Sequence, residues 1–368
     1  MSILPWIGFI VLVLLLLALD LGVLNRRPAT VTTAKALRAT AIWVTLALAF
    51  NVCVYFMYEY QLFGIGTRFG QSQTGSQAAL QFFTAYVVEE SLSVDNLFVM
   101  AMIFRYFAVP SAYQHRVLFL GILGALVFRG IFIGAGLAFI HHFAWAIYVF
   151  GGLLVATALK MLFSKEDSLK PDKHPLVRVV RHFYPMTTEY HGDRFFVRLS
   201  GKLTATPLLL ALVLVEGSDI VFAVDSVPAV FGVTRDAFIA FTSNVFAMLG
   251  LRSMYFVLAA AMNSFRYLKA SLVVILGFVG LKMLLTDVAH IDSLISLACI
   301  AGVLAVGVLA SLMFPGKPTE DVHARASMWP AAEPSEPGEQ AGLRTPTEPS
   351  AFSDAEQSSR PVRPSGSD

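Results

Sequence analysis

Apolar residues recur along this chain in runs of about 20, enough at 1.5 Å per residue to cross the roughly 30 Å hydrocarbon core of a bilayer. Such runs lie near residues 4–24, 38–58, 78–104, 116–140, 144–163, 204–231, 237–262, 268–286 and 292–314, and each predicts a helix. The first run is longer than a signal-peptide core and lacks a basic flank before it, so it is expected to be a retained helix. The pattern therefore predicts an all-α polytopic membrane protein with about nine transmembrane helices, occupying residues 1–314. Beyond Pro315 the large apolar residues almost vanish among Pro, Glu, Ser, Gly and Ala. A tail of that composition (315–368) cannot bury enough surface to fold and is expected to be disordered; it could bind a protein partner, though a solvated tail is the plainer reading.

The apolar pattern also repeats. Ser93-Val94-Asp95-Asn96 resembles Ala223-Val224-Asp225-Ser226, 130 positions on. Arg129, in Leu126-Val127-Phe128-Arg129, matches Arg252, in Leu249-Gly250-Leu251-Arg252, at 123 positions. Leu159-Lys160-Met161-Leu162 recurs as Leu281-Lys282-Met283-Leu284 at 122. One gap aligns all three, so segments 78–163 and 204–286 read as two copies of a three-helix unit. With three helices each, the copies must face opposite ways, and in inverted repeats of that kind the substrate sits near midplane where the copies meet.

Composition agrees with membrane residence: 56% of the 368 residues are hydrophobic and 14% charged, against about 25% charged in soluble domains. The distribution of charge says more than its net value of +2. Arg26, Arg27, Lys35 and Arg38 crowd the first loop, Arg105 and Arg116 the third, Arg266 and Lys269 the seventh, and segment 164–203 is rich in both Lys and Arg. The intervening loops are nearly bare of them. By the positive-inside rule the N-terminus lies outside, and loop 164–203 and the C-terminus lie in the cytoplasm of a bacterial cell, with the chain in the inner membrane. Cys53 and Cys299 both fall in apolar runs, so no disulfide is expected.

Against this apolar background the polar groups within the runs carry the chemistry. The run at 78–104 holds Glu89, Glu90, Ser91, Ser93, Asp95 and Asn96; the run at 204–231 holds Glu216, Asp219, Asp225 and Ser226; Thr242, Ser243 and Asn244 follow in the next. Each carboxylate at a helix centre costs roughly 2.5–3.5 kcal/mol on the insertion scale, so such a group persists where it binds something. Glu89 and Asn96 share a face, as do Glu216 and Asp219. Asp225 lies off that stripe in a straight helix, and Pro228 is expected to kink or unwind the turn before it, re-aiming Asp225 and baring carbonyl oxygens. Carboxylate, amide and hydroxyl oxygens suit Mg²⁺, Ca²⁺ or Mn²⁺ rather than soft metals, and would repel oxyanions. The bland alternative is a polar network in which Arg129 and Arg252 neutralise the acids and hold the helices together.

Glu89-x-Ser-Leu-x-Val-Asp95-Asn96, Glu216-x-Ser-Asp219-x-x-Phe-Ala-x-Asp225-Ser-x-Pro228-Ala and Thr242-Ser-Asn244-x-Phe-Ala-x-Leu-Gly-Leu-Arg252 closely resemble the TerC family, in particular its Alx-type members, over roughly residues 4–314. The resemblance implies kinship with LysE-like exporters, manganese export, protection against metal stress and a historical link to tellurium resistance. It places metal handling on Glu89, Asp95, Glu216, Asp219 and Asp225, while Glu90 lies outside the pattern. The expected function is therefore export of a divalent cation, Mn²⁺ foremost, in exchange for protons, with Asn96, Ser226 and Asn244 as further ligands, Arg129 and Arg252 as charge partners and Pro228 as hinge. The lipid bilayer, divalent ions and protons are the expected partners; no permanently bound cofactor, nucleic acid or enzymatic activity is expected. The Gly-x-Gly-Asp motif of intramembrane aspartyl proteases is absent. A membrane scaffold or assembly factor of a stress complex is the alternative, although scaffolding gains nothing from buried acids.

Overall fold

The computed structural model describes residues 3–20, 33–65, 73–163, 175–199, 201–261, 267–288 and 291–313. The tail expected at 315–368, and part of the loop at 164–203, lie outside them. Among the described residues ten α-helices form: α1 (Leu4–Leu19), α2 (Thr33–Glu59), α3 (Gly75–Tyr106), α4 (Ser111–His142), α5 (Ala146–Phe163), α6 (Pro175–Phe183), α7 (Pro207–Phe231), α8 (Ala237–Ala261), α9 (Leu268–Leu284) and α10 (Ser293–Met313). A helix occupies each of the apolar runs. Six of these (α2, α4, α5, α7, α8 and α10) are long and apolar enough to cross a membrane, among the described residues. Of the others, α1 has 16 residues and α9 has 17, while α3 has 32 but carries Glu89, Glu90 and Asp95.

The helix ends are set by local chemistry. Thr74 accepts from the Gln77 backbone N–H, and Gln77 answers by accepting from the Thr74 N–H, a capping box that starts α3. The N–H of Gly75 also donates to Glu59 at 2.8 Å, tying the end of α2 to this start. A side chain at Gly75 would meet the Tyr55 carbonyl oxygen at 2.4 Å, so the junction needs glycine. Asp236 caps α8 by accepting from the N–H groups of Phe238 and Ile239.

Small residues let the helices approach, as lipid-embedded packing requires. Helix α3 packs on α8 and α7, α4 on α7 and α8, α5 on α9, and α2 on α8 and α3. At the α5–α9 crossing a Cβ on Gly151 would stand 3.0 Å from the Gly280 carbonyl oxygen, and one on Gly280 would stand 2.9 Å from that of Gly151. Backbone meets backbone there.

Three expectations change. The loop at 164–203 contains structure its sequence did not announce: α6, and a hairpin of β1 (Phe196–Leu199) and β2 (Lys202–Ala205) in antiparallel register Phe196↔Ala205. Residues 204 and 205, taken as helix, belong to β2 because they pair with β1 before Pro207 opens α7. Tyr190 anchors this segment by donating to the Phe107 carbonyl oxygen at 2.6 Å, and burial raises its phenol pKa above the ordinary value. Finally, α7 stays helical through Pro228, with no unwound turn at 224–228; the proline sits in the last turn, where the Gly232 N–H still reaches its carbonyl at 3.1 Å.

Candidate ion site

Arg129 of α4 stands at the centre, 2% exposed. Its guanidinium donates to Glu89 Oε1 of α3, to Asp219 Oδ1 of α7 at 3.2 Å, to Ser226 Oγ at 3.1 Å and to Asn244 Oδ1 of α8 at 3.3 Å. Asn244 in turn donates to Glu89 Oε2 at 2.9 Å, and Asn96 donates to Asp219 Oδ1 at 2.8 Å. Four helices thus meet through one cation. Glu89, Asp219, Asn96, Asn244 and Ser226 are all buried, where such bonds are strong and an unpaired group is costly. Even so, Asn96 Oδ1 and Asp219 Oδ2 are buried without a hydrogen-bond partner.

Beside this network lies a cavity of about 30 Å³, lined by Asp95, Asn96, Arg129, Asp225 and Ser226 with apolar walls from Leu92, Met161, Phe222, Leu272 and Leu276. That is room for about two water-sized species, such as an ion with one water. Asp225 Oδ1 accepts from Thr157 Oγ1 of α5 at 2.9 Å, and the Lys160 ammonium acts on the same carboxylate. Asp225 therefore reaches the cavity from a continuous helix, with no need for unwinding at Pro228.

The five acids do not form one cluster. Glu89 and Asp219 belong to Arg129, and Asp95 and Asp225 line the cavity. Glu216 points at α4, where a Cβ on Gly124 would stand 2.2 Å from its Oε1. Glu90 faces away toward Gly250 of α8, whose Cβ would lie 3.8 Å from Glu90 Oε1. Among the described residues no three His, Cys, Asp or Glu side chains converge to hold a metal ion; any ion in the cavity would draw on amide and hydroxyl oxygens too. Thr242 and Ser243 spend their hydroxyls on backbone carbonyls of their own helix. Arg252 does not join the acids: it pairs with Asp20 at 2.7 Å and with His115 Nδ1 at 3.3 Å. Arg129, which the sequence aligned with it, bonds Asn244 on α8. Thr157 as a partner of Asp225, and Asp20 and His115 as partners of Arg252, carried no signal in the sequence, because each depends on how distant helices rotate against one another.

Residues 74–318 match the family described as Integral membrane protein TerC family. An uncharacterized membrane protein of Myxococcus xanthus is 46% identical over 320 residues, which are 87% of this chain and 95% of that protein. A protein of Escherichia coli K12, provisionally named membrane-bound redox modulator Alx, is 47% identical over 302 residues, 82% of this chain and 92% of its own. A membrane protein of Rickettsia bellii is 35% identical over 308 residues, 84% and 97% of the two chains. No solved structure is similar. The family match spans α3 to α10, and with them every residue of the Arg129 network and of the cavity. On that span the chain is a multi-pass integral membrane protein and belongs to the TerC family.

Proposed function

We propose that this protein exports a hard divalent cation, Mn²⁺ foremost, across the bacterial inner membrane in exchange for protons. The observation that carries the reading is the small cavity in which two carboxylates from different helices, Asp95 and Asp225, meet the amide of Asn96 and the hydroxyl of Ser226. All are oxygen donors of the kind Mn²⁺, Mg²⁺ and Ca²⁺ prefer. A buried carboxylate pair gains most when a cation sits between its members and otherwise favours holding protons, so ion arrival and proton release are linked.

The transport architecture proposed is nine spans with an inverted repeat, N-terminus outside and C-terminus in the cytoplasm, akin to LysE-like exporters. Its support is an exchange of contacts between α3 and α7. Asn96 bonds Asp219, while Glu89 and Ser226 share Arg129, so the helices run antiparallel. Moving 130 positions turns Asn96 into Ser226 and Glu89 into Asp219, which converts one of these pairings into the other. The same exchange relates α3 on α8 to α4 on α7. A two-fold axis in the membrane plane would pass between Leu92 and Phe222, both in the cavity wall. Bistable packing of two such copies is the usual basis of alternating access. The test is cellular manganese content with and without the protein: an exporter lowers it under manganese load, and unchanged content would favour a scaffold.

A further inference from the structure

Helix α6 is short, yet it sits deep. The place a Cβ would take on Gly217 of α7 is filled by Leu176 Cδ1, at the start of α6. Beyond the other end of α6, the Pro185 carbonyl oxygen accepts from the Ala205 N–H at 2.8 Å, two residues before α7 opens at Pro207. The nine residues of α6 rise about 13 Å, and the stretch of α7 from Pro207 to Gly217 rises about 15 Å. So α6 runs antiparallel beside the first half of α7. In a spanning helix that half lies within one leaflet, since the hydrocarbon core is roughly 30 Å thick. Val177 is fully buried in the core that α3 and α7 share there. The opposite face of α6 is bare: Val179 is 52% and Phe183 72% exposed, and at four positions apart they form one stripe. Arg178, also exposed, flanks it.

The β1–β2 hairpin continues this surface. The rings of Tyr184, directly after α6, and Phe196 of β1 meet edge to face with centroids 5.2 Å apart. Phe196 and Arg198 share a face of the hairpin with Leu203, the register partner of Arg198, and all three are exposed. The platform is held firmly. Thr206 Oγ1 donates to the Arg194 carbonyl oxygen at 2.8 Å, and Arg116 of α4 pairs with Asp193 and stands 5.2 Å over the Phe195 ring. Residues 175–205 carry five Arg and Lys against two acids, Glu189 and Asp193, and Arg116 already takes the second. An apolar stripe at acyl-chain depth with cations along its edge is complementary to an anionic lipid.

We propose that α6 and the hairpin form a binding surface for anionic phospholipid in the leaflet that α7 enters first, the cytoplasmic one in the proposed orientation. Val179 and Phe183 bury against acyl chains, while Arg178 and Arg198 extend to headgroup phosphates. Arginine suits that contact because its planar fork matches phosphate oxygens. A soluble protein partner would need this face in water, whereas α6 lies alongside a spanning helix, where lipid is the solvent. None of these residues belongs to the Arg129 network or to the cavity, so the inference stands independently of the transport reading.

The test uses the full chain with Cys53→Ser/Cys299→Ser, carrying a spin label on Val179→Cys or Phe183→Cys, in vesicles of phosphatidylcholine and phosphatidylglycerol. Oxygen, which partitions among acyl chains, should reach both labels, and a water-soluble nickel chelate should not. Chelate access would place the stripe in water, and a label reached by neither reagent would place it against protein; either result overturns the proposal. Headgroup preference is read by native mass spectrometry of the purified parent chain, which should retain phosphatidylglycerol over phosphatidylcholine. Arg178→Gln and Arg198→Gln should each weaken that preference about fivefold. Both positions are exposed, so the fold is expected to survive either change. Equal retention of the two lipids by the parent, or an unchanged preference in Arg178→Gln/Arg198→Gln, would overturn the assignment to anionic lipid.

Discussion

Two glycines on α9, three residues apart, should respond in opposite directions to the same change. A Cβ on Gly280 would meet the Gly151 carbonyl oxygen, Leu154 Cβ and Val155 Cγ2, each at 2.9 Å. A Cβ on Gly277 would meet only Ala158 Cβ, at 3.9 Å, an ordinary contact. Replacing either glycine with alanine gains roughly 1 kcal/mol of helix propensity. At Gly277 that gain stands, so Gly277→Ala should be stabilising. At Gly280 the backbone of α5 cannot yield as a side-chain tip could, and overpacking costs about 1–3 kcal/mol. Propensity cancels between the two variants, so their difference, about 1–3 kcal/mol, is the cost of the crossing itself. Reversible unfolding of purified protein in mixed micelles measures it. Efflux should fall with Gly280→Ala as well, since α5 carries Thr157 to Asp225 and α9 supplies Leu272 and Leu276 to the cavity. Equal stability changes for the two alanines would refute backbone contact between α5 and α9.

The Asp20–Arg252 pair joins α1 to α8 under little exposure, so Arg252→Met alone should cost about 3–5 kcal/mol and Asp20→Asn/Arg252→Met much less, in the same unfolding assay. Cys53 and Cys299 are free and exposed on α2 and α10, so Cys53→Ser/Cys299→Ser should retain Mn²⁺ efflux; loss of efflux in that folded variant would bring thiol chemistry into the mechanism. A reporter fused after Pro315 should be active only in its cytoplasmic form, and external activity would reverse the proposed orientation.

Much of the helical layout was legible because lipid imposes it: a run near 20 apolar residues has few alternatives to a helix, and every run became one. Segment 175–205 was opaque for the converse reason. Helix α6 has nine residues and each strand four, too short to stand out beside the long apolar runs, although α6 sets Leu176, Val177 and Val180 against Arg178, Arg181 and His182; the contact of Tyr190 with Phe107 joins elements far apart in the chain. The acids were conspicuous in the sequence, but their division was not. That Glu89 meets Arg129 depends on the rotation of α3 against α4, and the internal similarity read in the sequence misdirected Arg252, whose charge answers Asp20. Pro228 misled in a different way. A proline breaks a helix most in its interior, and this one lies three residues from the end of α7.

The central claim, that Asp95 and Asp225 form a cation site coupled to protons, is tested most directly in proteoliposomes that report Mn²⁺ and proton movement together. The account predicts that an imposed proton gradient drives Mn²⁺ against its own gradient, with protons crossing in the opposite direction. Asp225→Asn and Asp95→Asn should each abolish both movements while leaving the protein folded. Mn²⁺ transport by Asp225→Asn at the parent rate, or parent transport with no accompanying proton movement, would contradict it.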